Sequence, residues 1–358
     1  MTQSVRSGSV QGVVQPRVYT SHWCQSSFTL PSLYSTFVSH QLEWSLMGRN
    51  FAWHSVLTGL SGQNATDPPP EVKEKFFDSG RGHVRMLLAV IGAASTNAEL
   101  AIYREHTPSA CTFKAHCSLL YLKADPRLQQ PCTVGRRELL LRRAAPEPAA
   151  LPFGRVLDLG CGLGRVSFAL APHARSVTCV DQSPYHLLAA SREWRAQQQS
   201  QQQSQQQLQQ QSQQQSQAYI TPIRFALSSP DLLLAMDGER FDFVHSVIVL
   251  QHMVPQLQQA YLEQLCDVLV IGGRGWAQVP IALADRTANT TCNMQSSRRK
   301  GGLQMHFTPA KHVVEVMEGR GCECKVMDVA QMFIGDDSTP RIASGAVTFV
   351  RVGDPAAT

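Results

Sequence analysis

Asp158, Gly160, Gly162, Gly164 and Asp181 are the residues of this 358-residue chain whose types and spacing point first to chemistry. Three glycines in nine residues let backbone, not side chain, come close to a ligand. An acid after the next apolar run stands where a ribose is gripped through its hydroxyls. The spacing separates two ligands. A pyrophosphate-binding turn needs GxGxxG, but the third place here is Arg165 counted from Gly160 and Ser167 counted from Gly162. Asp158, two residues before the first glycine, would repel a pyrophosphate. It suits a cofactor with an amino group and a positive sulfonium, and S-adenosyl-L-methionine carries both.

These residues need elements to hold them. Val156 to Leu159 is short and mostly apolar, as a buried parallel strand is. Arg165 to Ala171 follows as a helix ended by Pro172, and Ser176 to Val180 is a second strand that delivers Asp181. Further on, Phe241 to Ser246 reads as a strand, Gln256 to Leu269 as a helix and Trp276 to Val279 as a strand. Thr308-Pro309 is a helix start with a capping hydroxyl and an early proline. It opens a helix over Ala310 to Glu318, and strands are expected over Cys324 to Val329 and Ala346 to Val352.

In register, LDLGCGLGR and VDQSPYHLLAASR resemble the first two motifs of the class I S-adenosylmethionine-dependent methyltransferases. Ser246-Val-Ile-Val-Leu-Gln-His252 resembles the S-x-x-V-L-x-H loop of its small-molecule members, and Val270-Ile-Gly-Gly273 the family's helix stop, with Ile271 for the usual proline. The resemblance covers roughly 155 to 352. It implies an α/β fold: a doubly wound seven-stranded sheet, mostly parallel with an antiparallel last strand, preceded by a helical N-terminal region. It also implies that Gly160, Cys161 and Gly162 meet the cofactor by backbone, that Asp158 lies beneath its amino group and that Asp181 takes the ribose. Leu159, Gly164, Gln182, Ser228 and Ser246 complete the expected cofactor set. One departure follows the third strand, where the family carries an acid for the adenine amino group. Here Ser228 and Ser229 come first and Asp231 late, so either a serine substitutes or Asp231 serves. Glu74 to Arg81 bears a weaker resemblance to a helical cap that precedes the core in some members.

Composition bounds the rest. Net charge is +5, with arginines scattered and no basic stripe alternating with aromatics, so a nucleic-acid surface is not supported. Ten cysteines at irregular spacings, with no CxxC pair, read as reduced thiols of an intracellular protein without structural zinc. No apolar run approaches a membrane span. Residues 1–43 lack acids except Glu43 and read as a disordered or targeting extension, with a cytoplasmic or an organellar location both open. Residues 44–150 read as a helical cap with an irregular insertion, and 151–352 as the cofactor-binding core. Within it the Gln/Ser tract 197–217 reads as a disordered insertion, because it has little apolar surface to offset the entropy of ordering.

The methyl acceptor is less legible. No Asn-Pro-Pro-Tyr follows the fourth strand, which disfavours exocyclic amines of bases, and no Asp-Asn pair follows the fifth, which disfavours a metal-dependent catechol site. His252 and His306 are the candidate proton acceptors. A small-molecule O, N or C nucleophile is the first expectation. A protein or RNA acceptor and a non-catalytic binding protein of the same fold are the alternatives.

Overall fold

The computed structural model describes residues 18–21, 26–56, 67–93, 152–211, 221–283, 306, 308–328 and 342–354. Two short strands, β1 (Val18–Ser21) and β2 (Ser26–Thr29), pair antiparallel and lead into α1 (Leu30–Val56), which is broken at Phe51. Helix α2 (Pro70–Ala93) follows. The core then alternates: β3 (Phe153–Leu159), α3 (Arg165–Leu170), β4 (Ala174–Asp181), α4 (Pro184–Gln211), β5 (Ile223–Leu227), α5 (Leu232–Ala235), β6 (Phe241–Ser246), α6 (Pro255–Asp267), β7 (Leu269–Leu283). Helix α7 (Ala310–Glu318), β8 (Cys322–Asp328) and β9 (Ile342–Arg351) close it.

The seven core strands lie in the order β5-β4-β3-β6-β7-β9-β8, and β9 alone runs antiparallel to its neighbours. This is the doubly wound sheet that the sequence implies. Strand β3 is central and pairs with β4 on one side and β6 on the other. The strand order reverses there, so a crevice opens beyond the carboxyl end of β3, where such sheets bind ligands. Apolar residues of β3, β4 and β6 are buried on both faces, as parallel strands require.

The N-terminal helices are part of this body. Helix α2 packs Val84 and Leu87 against Val166 and Leu170 of α3, and Gly80 lies against the Arg165 carbonyl, where a Cβ would come within 2.0 Å of the oxygen. In α1, Trp53 joins Phe76, Phe77 and Phe168 in a second cluster. Helix begins at Leu30, so the expected extension over 1–43 ends earlier than its composition suggests: an acid-free stretch is still able to form a packed helix. The expected insertion within 44–150 falls mostly on 94–150, outside the described residues.

Three local expectations are corrected. Residues 197–211 of the Gln/Ser tract are helical, continuing α4, while 212–217 lie outside the described residues. Glutamine is a good helix former, and the tract extends a helix already nucleated by packed Leu187, Ala190 and Trp194. The Thr308 hydroxyl donates to Gln258 and not to the end of α7, whose first flanking residue is Pro309. Cys161–Cys179 and Cys266–Cys322 form disulfides, with Cα separations of 5.4 and 6.0 Å. Sequence spacing hid these pairs because the packing of separate elements brings them together: Cys161 in the turn after β3 meets Cys179 of β4, and Cys266 near the end of α6 meets Cys322 at the start of β8. Among the described residues no helix is long and apolar enough to cross a membrane.

A 28-residue helix is about 42 Å long, whereas an eight-residue strand spans about 26 Å. The Gln-rich end of α4 therefore overshoots the sheet, and residues 199–204 are exposed or nearly so. Replacing residues 199–217 by a short Gly-Ser linker is expected to move the melting temperature by less than about 3 °C, since loop length acts only logarithmically. Circular dichroism melting checks this, and a larger loss would show that the tract supports the core.

Candidate active site

The crevice beyond β3 is a cavity of about 100 Å³. The turn after β3 forms its floor with Asp158, Leu159, Gly160, Cys161 and Gly162, and β4 adds Asp181 and Gln182. Ser228 lines it beyond β5, and Val247, Ile248, Val249 and His252 line it beyond β6. From the other side α1 contributes His40, Trp44, Ser55 and Val56. The N-terminal region thus roofs the crevice.

The turn is held to the end of β4 from several directions. The Gly160 and Cys161 amides both donate to the Val180 carbonyl, at 2.7 and 3.0 Å. Asp181 accepts from the Gly162 amide through Oδ2 (2.9 Å) and from the Ser183 amide through Oδ1 (2.8 Å). Gly160 has a φ of 70°, and a Cβ there would sit 2.1 Å from Val249. Only glycine permits both that backbone conformation and that approach. His186, fully buried, stands 3.4 Å from Asp181 through Nδ1 and bonds the Ser55 hydroxyl through Nε2 at 2.7 Å. It ties α1 to the acid expected to take the ribose.

Asp158 is buried and already engaged. His245 meets one carboxylate oxygen through Nδ1 at 2.7 Å, and Ser167 donates to the other at 2.5 Å. His245 in turn stacks on Trp276 and reaches His83 of α2 at 2.9 Å. The acid expected beneath the cofactor's amino group therefore first joins β3, α3, β6 and α2 under the floor. A buried carboxylate without such partners would be costly.

The other expected residues divide. Leu159, Gly160, Cys161, Gly162, Asp181, Gln182, Ser228 and His252 line the cavity. Gly164 does not: its φ of 82° starts α3, and a Cβ would strike the Phe168 ring. Ser246 is buried and donates to the Leu159 carbonyl, joining β6 to β3. Of the two alternatives after β5, Ser228 is in the cavity, whereas Asp231 accepts from the Leu234 amide and caps α5. The Ser228 hydroxyl pairs with the Tyr261 hydroxyl at 2.8 Å, and burial pushes the Tyr261 phenol well above its usual pKa, so it stays protonated. His306 lies outside this cavity, in a second chamber of about 160 Å³ whose wall it shares with His40, Trp44 and His252.

Sequence reasoning missed His40, Trp44, His186 and His245. His40 and Trp44 stand four apart on α1 and so share a face, a readable signal had the N-terminal region been joined to the site. His40 reaches Gln182 Oε1 through Nδ1 and the His252 carbonyl through Nε2, both at 2.7 Å. Trp44 sets its ring at a steep angle to His252, 5.4 Å away. Ile248, a β-branched residue with φ of 60°, also lines the cavity, and its amide donates to Gln278 Oε1 at 3.2 Å. Strain of that sort costs about 1–3 kcal/mol and gathers at functional sites.

The lining of the cavity suits S-adenosylmethionine on three observations: a glycine turn that brings backbone to its floor, an acid at the tip of β4, and Gln182 Nε2, buried without a partner. Gln182 and Asp181 would hold the ribose side, Gly160 and Gly162 the amino-acid side and Ser228 the adenine end. The methyl group such a cofactor supplies leaves a positive sulfonium. Two outcomes follow. Gly160→Ala is expected to abolish detectable cofactor binding in titration calorimetry, through the clash with Val249. His245→Ala leaves Asp158 buried with Ser167 as its remaining side-chain partner, and is expected to destabilise the fold by about 1–3 kcal/mol in denaturant melts.

The methyltransferase-domain family model matches residues 157–274. Among curated proteins none matches the sequence. Solved structures similar to the chain include an S-adenosylmethionine-dependent methyltransferase from Clostridium acetobutylicum (14% identity, 57% of this chain and 86% of that one, TM-score 0.38). Others are magnesium protoporphyrin IX methyltransferase from Synechocystis with bound S-adenosylmethionine (19%, 56% and 71%, 0.35), and the N-methyltransferase NodS from Bradyrhizobium japonicum with S-adenosylhomocysteine (16%, 56% and 79%, 0.35). Residues 157–274, about a third of the chain, thus match the model of a methyltransferase domain, and the strand order found here is the one expected of the class I S-adenosylmethionine-dependent methyltransferase fold.

Proposed function

We propose that the protein transfers the methyl group of S-adenosylmethionine to a small-molecule nucleophile. The observation that carries this reading is the second chamber, which shares His40, Trp44 and His252 with the cofactor cavity. It is about the size that admits one six-membered ring, since a cavity of about 150 Å³ holds benzene.

In the transfer the acceptor's electron pair forms a bond to the methyl carbon as the carbon–sulfur bond breaks, and the sulfur keeps that pair. Holding the two reactants in line supplies much of the rate. The chain's part is then to position. His40 joins Gln182, beside the ribose, to the His252 carbonyl at the partition, and Trp44 packs on His252 from α1. His252 and His306 are the groups placed to take a proton from the acceptor.

Titration calorimetry with S-adenosylmethionine and S-adenosylhomocysteine tests the cofactor, and methylation of a metabolite extract with labelled cofactor tests the acceptor. Micromolar binding and a labelled small product are expected. Label confined to protein or RNA would contradict the reading. With the acceptor so found, His252→Ala is expected to slow single-turnover transfer by about 100-fold while cofactor affinity stays within a few fold.

A further inference from the structure

The second chamber has a chemical character that narrows the acceptor. Glu43 brings a carboxylate to its rim and is exposed, with no ion-pair partner among the described residues. Trp44 adds an aromatic wall. No lysine or arginine lines the chamber among the described residues. The two nitrogens of His40 are both taken up by carbonyl oxygens. His252 Nε2 faces the Gln251 amide at 3.2 Å. His306, by contrast, is 7% exposed and both its ring nitrogens lack a partner. Its backbone amide donates to the Gln251 carbonyl at 2.7 Å, which fixes the residue against the partition.

From this we infer that the chamber takes the head group of a small primary or secondary amine as the methyl acceptor, with Glu43 and Trp44 receiving the ammonium and His306 accepting one of its N–H bonds. The inference rests on the proposed cofactor cavity. Among the described residues an anionic acceptor would find no lysine or arginine here, and a neutral alcohol would make no use of the Glu43 charge. A carboxylate beside an aromatic face suits an organic cation. Burial, and then the neighbouring His40, push the His306 imidazole below its usual pKa, so it is neutral near pH 7 and free to accept. Among the described residues the charged or titratable groups facing it in the chamber are Glu43, His40 and His252.

The step balances without another reagent. The ammonium gives one proton to His306 and becomes a free amine. Its lone pair then bonds to the methyl carbon, the carbon–sulfur bond breaks, and its electrons remain on sulfur as S-adenosylhomocysteine. The product leaves as a methylated ammonium, and His306 returns its proton to solvent.

Three probes of one size test this: benzylamine, benzyl alcohol and benzoate, titrated into the full-length protein near neutral pH with and without S-adenosylhomocysteine. Benzylamine is expected to bind at least about tenfold tighter than the alcohol, with benzoate weakest. Glu43→Gln should erase the preference of amine over alcohol, and His306→Ala should weaken benzylamine by several fold. Both should leave S-adenosylhomocysteine affinity unchanged. No benzylamine binding, equal affinity for the three, a preference for benzoate, or an amine preference that survives Glu43→Gln would overturn the inference. Loss of S-adenosylhomocysteine binding with the amine preference intact would instead remove the cofactor reading and leave the amine site standing.

Discussion

The closure of the β3 turn onto the end of β4 is the constraint on which the site depends. Asp181 accepts the Gly162 and Ser183 amides, and the Val180 carbonyl accepts those of Gly160 and Cys161. Backbone donors at a turn are otherwise left without partners. Here the same carboxylate that a ribose would approach first shapes the loop that would hold the rest of the cofactor. Loop geometry and ligand recognition are therefore not separable at Asp181. Val249 presses on Gly160 from the β6 side, so the floor is fixed by three strands at once.

Beneath that floor, the Asp158–His245–His83 line performs a different task. It runs from the central strand through β6 to α2, with Ser167 of α3 closing the other carboxylate oxygen. Above the floor, His186 links Asp181 to Ser55 of α1, and His40 links Gln182 to the partition. The N-terminal helices are thus bound to the sheet by polar contacts at the site as well as by the aromatic cluster around Trp53. Their removal would open the cavity and deprive His245 and His186, which hold Asp158 and Asp181, of their own partners His83 and Ser55.

The core was legible in sequence because its signals are local. Strand, glycines, helix, strand and acid sit within 26 residues, and the α7 helix was readable to the residue. What was not legible depends on contacts between distant segments. Asp158 reads as a cofactor ligand from its place beside the glycines, but His245 lies 87 residues away and only strand pairing brings it near. Ser246 and Gly164 likewise belong to the motif and serve the framework instead. The cysteine pairs, the helical glutamine tract and the His40–Trp44 face of α1 were hidden for the same reason: composition reports what a segment is made of, not what it meets.

The central claim is that the β3–β4–β6 crevice holds S-adenosylmethionine under the roof of α1. A crystal structure of the full chain with S-adenosylhomocysteine tests it most directly. The account predicts the ribose hydroxyls within hydrogen-bond distance of Asp181 or Gln182, the amino-acid end on the Gly160–Gly162 turn, and the sulfur facing the wall of His40, Trp44 and His252. A cofactor bound elsewhere, or one whose sulfur faces away from that wall, would contradict it.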